Sequence, residues 1–393
     1  MARLPAARGR RQQEGKRVIR ALRRSPAERD DGADPKAGAQ APPQKGRDAF
    51  FDNAKFLAIV LVVVGHSWES LRDHSRATAA AYMLLYAFHM PAFTIISGYF
   101  SRSFDFRPRQ LQRLVSGVVV PYITFEVALN AFRAYNTSDP FEVSILDPWY
   151  LTWFLMSLFI WRLTAPLWRL MRFPLATAVL IAVVVGTTPT AGDEIALQRT
   201  AQYLPFFVLG LQLSEGHFLR LRTGRLRFAA VAVLAAGAAV AYWAVPRMNP
   251  DWFYRRDAAQ DLGVPTWVGV LMILGMLACS LALSAAFLAL VPARRTWFTA
   301  LGTGTLYAYL LHGFLAKGAH WWDWYDSEWA RSPVGIVSIS LIAAVIAVAL
   351  TTPPVRRVFT YVMEPRLDWL FRNRAPGASA PKAPTRPQGA AAG

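Results

Sequence analysis

The sequence predicts an all-α, polytopic membrane protein, a helical bundle of about ten transmembrane helices with both termini in the cytoplasm. Of its 393 residues, 54% are hydrophobic and 17% are charged, and the mean hydropathy is +0.25. Apolar segments near membrane length recur from residue 50 onward, and basic residues concentrate in alternate loops. These features are typical of a protein with several membrane spans and exclude an ordinary soluble domain.

The ten apolar segments give the predicted order of the helices. They lie at about residues 50–69, 78–100, 111–133, 148–163, 175–189, 199–214, 226–245, 264–291, 297–317 and 333–352. The loops after segments two, four, six and eight carry clusters of arginine, whereas most opposite loops are richer in Asp and Glu. Because cytoplasmic loops are enriched in Lys and Arg, this pattern places both termini in the cytoplasm. The loop that contains Arg247, Arg255 and Arg256 is an exception.

The two ends of the chain differ in composition from the part between them. Residues 1–47 are predicted to form a disordered, basic cytoplasmic tail, residues 48–352 the transmembrane domain, and residues 353–393 a C-terminal cytoplasmic tail that is disordered at its end. The net charge of +18 follows these tails and loops, so it does not predict nucleic-acid binding. The single cysteine, Cys279, excludes an internal disulfide framework and a thiolate metal site.

The first apolar segment, FFDNAKFLAIVLVVVGHSWE, carries four ionisable residues: Asp52, Lys55, His66 and Glu69. At about 100° per residue, Lys55 and His66 lie nearly in line on a helix, and the two acids lie within roughly 60° of that line. An ionisable group inside a bilayer costs at least ~2.5 kcal/mol, so it faces a protein interior or a water-filled cavity. This stripe therefore predicts a polar cavity beside the first helix.

Two further histidines lie in predicted spans, His89 in segment two and His312 in segment nine. Their depths are compatible with that of His66, so we expect the three imidazoles to form one cluster. Pro91 follows His89, and a proline at this position predicts a local break in the helix. Imidazole and carboxylate groups can bind zinc, but no HExxH-type spacing supports such a site, and we predict no metal.

Polar and aromatic side chains near the ends of the spans suggest contacts with ligands. Arg109 and Arg113 lie one turn apart on one face of segment three. Paired guanidinium groups suit phosphate, either of a ligand or of a lipid headgroup. Trp149 and Trp153 lie at a predicted outer end, where they form an interfacial aromatic belt or stack on a sugar-like acceptor.

Several motifs resemble the acyltransferase 3 family of integral membrane acyltransferases, in particular its fucose O-acetylase-like branch. The similarity covers nearly all of the chain apart from its tails. The motifs are Asp52-x-x-Lys55, Gly65–His66, FHMP and SGYF (88–91 and 97–100), RLxxxxxxPY (113–122), WYLTWFL (149–155), YLPFFVLG (203–210) and YLLHGF (309–314). Lys55 and His66 match a basic-x10-His signature, with Lys where many members carry Arg. Arg109 and Arg113 are four residues apart and match the RxxR element less well.

The resemblance implies O-acylation of a carbohydrate or related acceptor at the cell membrane. The donor substrate is expected to be an acyl-CoA, with acetyl-CoA the first candidate, and no permanently bound cofactor is expected. Lys55 and Asp52, with Arg109 and Arg113, are predicted to contact the donor. Trp149 is predicted, with Trp153, to contact the acceptor.

The predicted catalytic residues are His66, Glu69, His89 and His312. As general base, His66 would take the proton of the attacking hydroxyl, since histidine commonly serves this role near neutral pH. Glu69 would orient the His66 ring, and His89 would assist or stabilise the oxyanion. Two alternative hypotheses from other classes stay open: a proton-coupled transporter that uses the His/Asp/Glu stripe, and a non-catalytic membrane scaffold.

Overall fold

The structure is a computed structural model that describes residues 48–189, 194–365, 367 and 369–371. The predicted disordered tail, residues 1–47, and the end of the C-terminal tail lie outside the described residues. The described part contains helices and turns and no strand. Its longer helices are α1 (Ala49–Ser67), α2 (Arg76–Ser101), α3 (Pro108–Asn136), α4 (Trp153–Leu170), α5 (Pro174–Gly186), α6 (Leu197–Gln212), α7 (Gly224–Ala244), α8 (Thr266–Leu290), α9 (Thr305–Trp321) and α10 (Pro333–Leu350).

Shorter helices connect or follow these elements. They are Glu215–Leu221, Asp251–Tyr254, Glu328–Arg331 and Pro353–Met363, with 3₁₀ turns at Arg72–His74, Glu194–Ala196 and Thr299–Thr303. The helix Pro353–Met363 is a structural finding in the region where only a tail was predicted. A single π-type turn, Val115–Val119, interrupts α3.

Each of the ten predicted segments overlaps one of the helices α1 to α10. In the part of the chain that the structure describes, six helices, α1, α2, α3, α7, α8 and α10, are long and apolar enough to cross a membrane. Helix α5 is apolar but shorter. The fold is therefore all-α with several candidate membrane spans, while the count of ten spans and the cytoplasmic termini stay predictions.

Helix starts follow local sequence signals. The Asp48 side chain accepts the backbone N–H of Phe50 and caps α1, and Ser75 caps α2 through the N–H of Thr78. Helix α2 runs without interruption through Pro91, so the predicted break is wrong. A proline inside a membrane helix is tolerated where neighbouring helices hold it, and α2 is one of the two most buried candidate spans in the described part of the chain.

Helices α1 and α2 form the centre of the bundle. In the most apolar 18-residue stretch of each helix, 72% of the residues are buried in α1 and 78% in α2, compared with 11% in α7 and 17% in α10. Helix α2 crosses α6 so closely that a Cβ on Gly98 would collide with the carbonyl oxygen of Phe207. A Cβ on Gly210 would likewise collide with the carbonyl oxygen of Ile95. Small residues at such crossings allow the backbones to approach.

We predict that Gly98→Ala and Gly210→Ala each lower the melting temperature of the protein in detergent. Forcing an added carbon into a packed contact typically costs about 1–3 kcal/mol. The matched control is Gly275→Ala in α8, where a Cβ would meet nothing within 4 Å. Differential scanning fluorimetry measures the three variants, and equal melting temperatures for all of them would contradict the described crossing.

Candidate active site

A cavity of about 1140 Å³ opens at one end of the bundle. Its lining comes from the ends of α1, α3 and α9, the middle of α2, the starts of α4 and α6, and the connections that precede α4 and α8. In the predicted topology this is the outer end. His66, Glu69, His89, Trp149 and Trp153, all predicted site residues, line this cavity.

His66 lies in the last turn of α1 and contacts two polar groups through Nδ1. Its Nδ1 is 2.6 Å from Oε1 of Glu69 and 2.9 Å from the hydroxyl of Tyr150. An ionised carboxylate only accepts hydrogen bonds, so Nδ1 carries the proton and donates to Glu69. In the neutral ring this leaves the lone pair on Nε2, which is the tautomer that a general base needs.

Glu69 follows the end of α1 and is surrounded by groups that stabilise its negative charge. Its Oε1 also accepts a hydrogen bond from Tyr86, and its Oε2 lies 3.9 Å from Nζ of Lys317. Burial alone would raise the pKa of Glu69. The charge of His66 and its hydrogen bond, followed by Lys317 and Tyr86, outweigh burial and lower the pKa to about 2. Glu69 is therefore ionised throughout the physiological range.

The other two predicted catalytic histidines lie near His66. The ring centroids of His66 and His312 are 5.1 Å apart, while the ring of Tyr86 lies between His66 and His89. His89 donates Nδ1–H to the carbonyl of Leu85, and His312 does so to the carbonyl of Ala308. Both rings are thus held with an unprotonated Nε2, and within the described residues the buried Nε2 of His312 has no hydrogen-bond partner.

Aromatic rings form one wall of the cavity. Trp149 stacks on Trp321 at 6.3 Å with an interplanar angle of 14°. Trp153 lies 5.3 Å from the ring of Tyr203 and 5.2 Å from the guanidinium of Arg199. The two predicted acceptor residues therefore share one cavity with His66.

The predicted donor residues lie elsewhere. Asp52 and Lys55 form an ion pair of 2.8 Å at the start of α1, and neither lines the large cavity. Arg109 and Arg113 line a separate cleft of about 330 Å³, whose other wall is formed by Pro365, Leu367 and Phe371. Lys55 does not line this cleft. The structure thus brings the two arginines together but does not join them to Lys55.

No group of three or more His, Cys, Asp or Glu side chains among residues 48–189, 194–365, 367 and 369–371 is placed to hold a metal ion. The residues at the site instead form hydrogen bonds and ion pairs with one another. The arrangement supports proton transfer by a histidine–carboxylate pair.

A comparison with family models decides between the predicted function classes. The model of the acyltransferase 3 family, described as an acyltransferase domain, matches residues 48–352. The chain belongs to the acyltransferase 3 family. Members are acyltransferases, so the protein is a membrane enzyme that transfers acyl groups, and the transporter hypothesis is not favoured. Searches of curated proteins and of solved structures found no match.

Several residues of the candidate site were not predicted from the sequence. Tyr86, Tyr150 and Lys317 contact His66 or Glu69, and Glu126 holds the segment that contains Tyr150. Glu126 had a sequence signal, because an acid inside an apolar segment is a functional candidate by default. The roles of the others depend on tertiary contacts that no short motif encodes.

We predict that Glu69 stabilises the folded acyltransferase in a pH-dependent way. Its pKa is lower in the folded protein than its ordinary value of 4.5. The contribution of Glu69 is therefore fully present above that value and is lost as the pH falls toward 2. The melting-temperature difference between wild type and Glu69→Gln is expected to be constant from neutral pH to about pH 5 and to shrink below it.

The matched control for this measurement is Glu142→Gln, which changes an exposed carboxylate. We expect Glu142→Gln to differ little from wild type at every pH tested. A Glu69→Gln difference that is independent of pH would contradict the stabilisation of the ionised Glu69 by His66, Lys317 and Tyr86.

Proposed function

We propose that the enzyme transfers an acetyl group from acetyl-CoA to a hydroxyl of a carbohydrate-type acceptor at the cell membrane, with His66 as general base. The observation that carries the proposal is the short contact between Nδ1 of His66 and Glu69 in the wall of a large polar cavity. It leaves the lone pair of Nε2 for an acceptor hydroxyl.

The reaction needs one proton to move twice. Nε2 of His66 takes the proton of the acceptor hydroxyl as its oxygen attacks the thioester carbonyl carbon. When the tetrahedral intermediate collapses, the C–S bond breaks and the protonated Nε2 gives the proton to the leaving thiolate. The carboxylate of Glu69 stabilises the imidazolium between these steps.

His89 fits a different role from the one predicted for it. An oxyanion needs hydrogen-bond donors, whereas Nε2 of a neutral His89 is unprotonated because Nδ1–H is donated to Leu85. We assign His89, which lines the cavity, to accept a hydrogen bond from a hydroxyl group of the acceptor, whereas His312 is buried beside His66 and does not line the cavity. Lys317, whose ammonium group lies beside Glu69, supplies positive charge on the same wall.

The cavity suits a sugar-like acceptor. Sugars present apolar ring faces, which pack on aromatic rings such as Trp149 and Trp153, and hydroxyl groups, which bind charged side chains. The lining contains both acids and bases, including Arg133, Asp147 and Lys317. At about 1140 Å³ the cavity is larger than ordinary ligand sites of about 300–1,000 Å³, so it suits a glycosylated or oligomeric acceptor.

The donor is expected at the opposite end of the bundle. Arg109 and Arg113 supply two exposed guanidinium groups for the phosphates of CoA, and Phe371 supplies a ring beside them. Lys55 and His66 are eleven residues apart, about 16 Å along α1 at ~1.5 Å per residue. An extended pantetheine arm can cover such a length and bring the thioester toward His66.

We predict that His66→Ala lowers acetyl transfer by about 10²–10⁴-fold, the usual contribution of a general base. Purified protein in nanodiscs is given acetyl-CoA labelled in its acetyl group and a panel of oligosaccharides, and thioester loss and labelled product are followed. The control is His74→Ala, because His74 is exposed and does not line the cavity. Transfer unchanged in His66→Ala would contradict the assignment, and wild type without thioester turnover would contradict the proposed reaction.

We also predict that Arg113→Ala and Phe371→Ala raise the KM for acetyl-CoA several-fold with little change in kcat. Both residues line the cleft at the end of the bundle away from His66. Arg225→Ala, which removes an exposed arginine at the start of α7, serves as the matched control. An unchanged KM in both cleft variants would place donor binding elsewhere.

A further inference from the structure

Glu126 is a buried acid within α3, a helix that can cross a membrane. It is 1% exposed, and no ion pair between described residues includes it. Its carboxylate instead accepts hydrogen bonds from Nδ2 of Asn130 at 2.7 Å, from the backbone N–H of Trp149 at 3.1 Å to each oxygen, and from the hydroxyl of Thr152. A buried acid in a span is costly and therefore needs a structural or functional reason.

The donors to Glu126 come mainly from the segment that precedes α4. Trp149 and Thr152 bracket Tyr150 and Leu151, and three of these four residues line the cavity. Tyr150 has φ = 56°, an uncommon conformation for a non-glycine residue that persists only where surrounding contacts hold it. The hydroxyl of Tyr309 on α9 donates to the carbonyl of Leu151 and holds the segment from the other side.

The segment 149–152 contacts His66, the proposed general base, through Tyr150. The Tyr150 hydroxyl lies 2.9 Å from Nδ1 of His66, and the Lys317 ammonium lies 4.2 Å from the centroid of the Tyr150 ring. Trp149, whose N–H binds Glu126 directly, presents its ring to the cavity. A change at Glu126 is therefore transmitted to His66 and to the aromatic wall through one short segment.

We propose that Glu126 is a positioning residue, which holds the segment 149–152 so that Tyr150 contacts His66 and Trp149 faces the acceptor. The functional part of this inference rests on the proposed transfer at His66. Glu126 does not itself line the cavity, so it does not touch the substrate. A proton relay through Glu126 is a poorer explanation, because both carboxylate oxygens are already occupied by donors.

Three variants distinguish the hydrogen bonds that Glu126 accepts from segment 149–152 from the one that it accepts within α3. Glu126→Gln keeps the size of the side chain but turns an N–H group toward the donors of the segment. Thr152→Val removes only the hydroxyl on the segment side. Asn130→Ala removes only a donor on the α3 side, so it is the matched control. Thr152→Val is expected to reproduce the effect of Glu126→Gln, whereas Asn130→Ala is expected to resemble wild type.

The first measurement is the rate at which diethyl pyrocarbonate modifies His66, followed by mass spectrometry. Loss of the Tyr150 contact exposes the imidazole, so we expect the rate to rise several-fold in Glu126→Gln and in Thr152→Val. The exposed His74 is the internal standard, and protection of the buried His89 and His312 shows that the variant is folded. A His66 rate unchanged in Thr152→Val, or raised equally in Asn130→Ala, would overturn the proposal.

The second measurement is steady-state kinetics with the oligosaccharide panel. Glu126→Gln and Thr152→Val are expected to raise the KM for the acceptor and lower kcat, while the KM for acetyl-CoA is unchanged. An effect on the KM for acetyl-CoA alone would contradict the role of the segment. If wild type shows no turnover, the proposed function fails, and the His66 reactivity still decides whether Glu126 positions this segment.

Discussion

Partnering of buried charges is the constraint on which this structure depends. A bilayer offers no water to an ionisable group, so each such group needs a partner within the protein. His66 is bound to Glu69, Asp52 to Lys55, and Glu126 to donors from the segment before α4. The first two contacts are local to the two ends of α1, whereas Glu126 connects α3 to the segment before α4, and the His66–Glu69 contact lies at the cavity.

The same constraint explains Arg255, which precedes α8. It is 4% exposed, and its guanidinium donates to the carbonyls of Gln202 and Met276 and to the hydroxyl of Ser280. It also lies 4.9 Å from the ring of Tyr203. In the sequence Arg255 is one of the loop charges that depart from the positive-inside pattern. In the structure it is a buried hydrogen-bond donor that joins α6 to α8, so its charge carries little information about the orientation of the helices in the membrane.

The sequence predicted the elements with strong local signals and missed those that depend on tertiary contacts. Helical spacing placed Glu69 beside His66, since residues three apart share a helix face, and the contact is present. To predict the cluster of His66 with His312, it was enough that the two residues lie at similar depths in their predicted membrane spans. By contrast, the break at Pro91 was wrong, because α2 is packed against its neighbours along most of its length and continues through the proline. The role of Tyr150 depends on a conformation with positive φ that Glu126 holds from another helix.

The two candidate ligand sites are separate, and this separation determines how the donor and the acceptor would reach each other. The large cavity with His66 lies at one end of the bundle, and the cleft with Arg109 and Arg113 lies near the start of α3. In the proposed reaction the donor and the acceptor approach from opposite ends, and the thioester meets the hydroxyl at His66. Helix α1 spans the distance between them and carries a polar pair near each end.

The proton on the His66 ring tests this account most directly. Solid-state NMR of the wild-type protein, labelled with ¹⁵N-histidine and assigned with a His66→Gln variant, reports which ring nitrogen is protonated. We expect a neutral ring with the proton on Nδ1, hydrogen-bonded to Glu69, and an unprotonated Nε2. A neutral ring with its proton on Nε2 would contradict the account, since His66 then has no lone pair facing the acceptor hydroxyl.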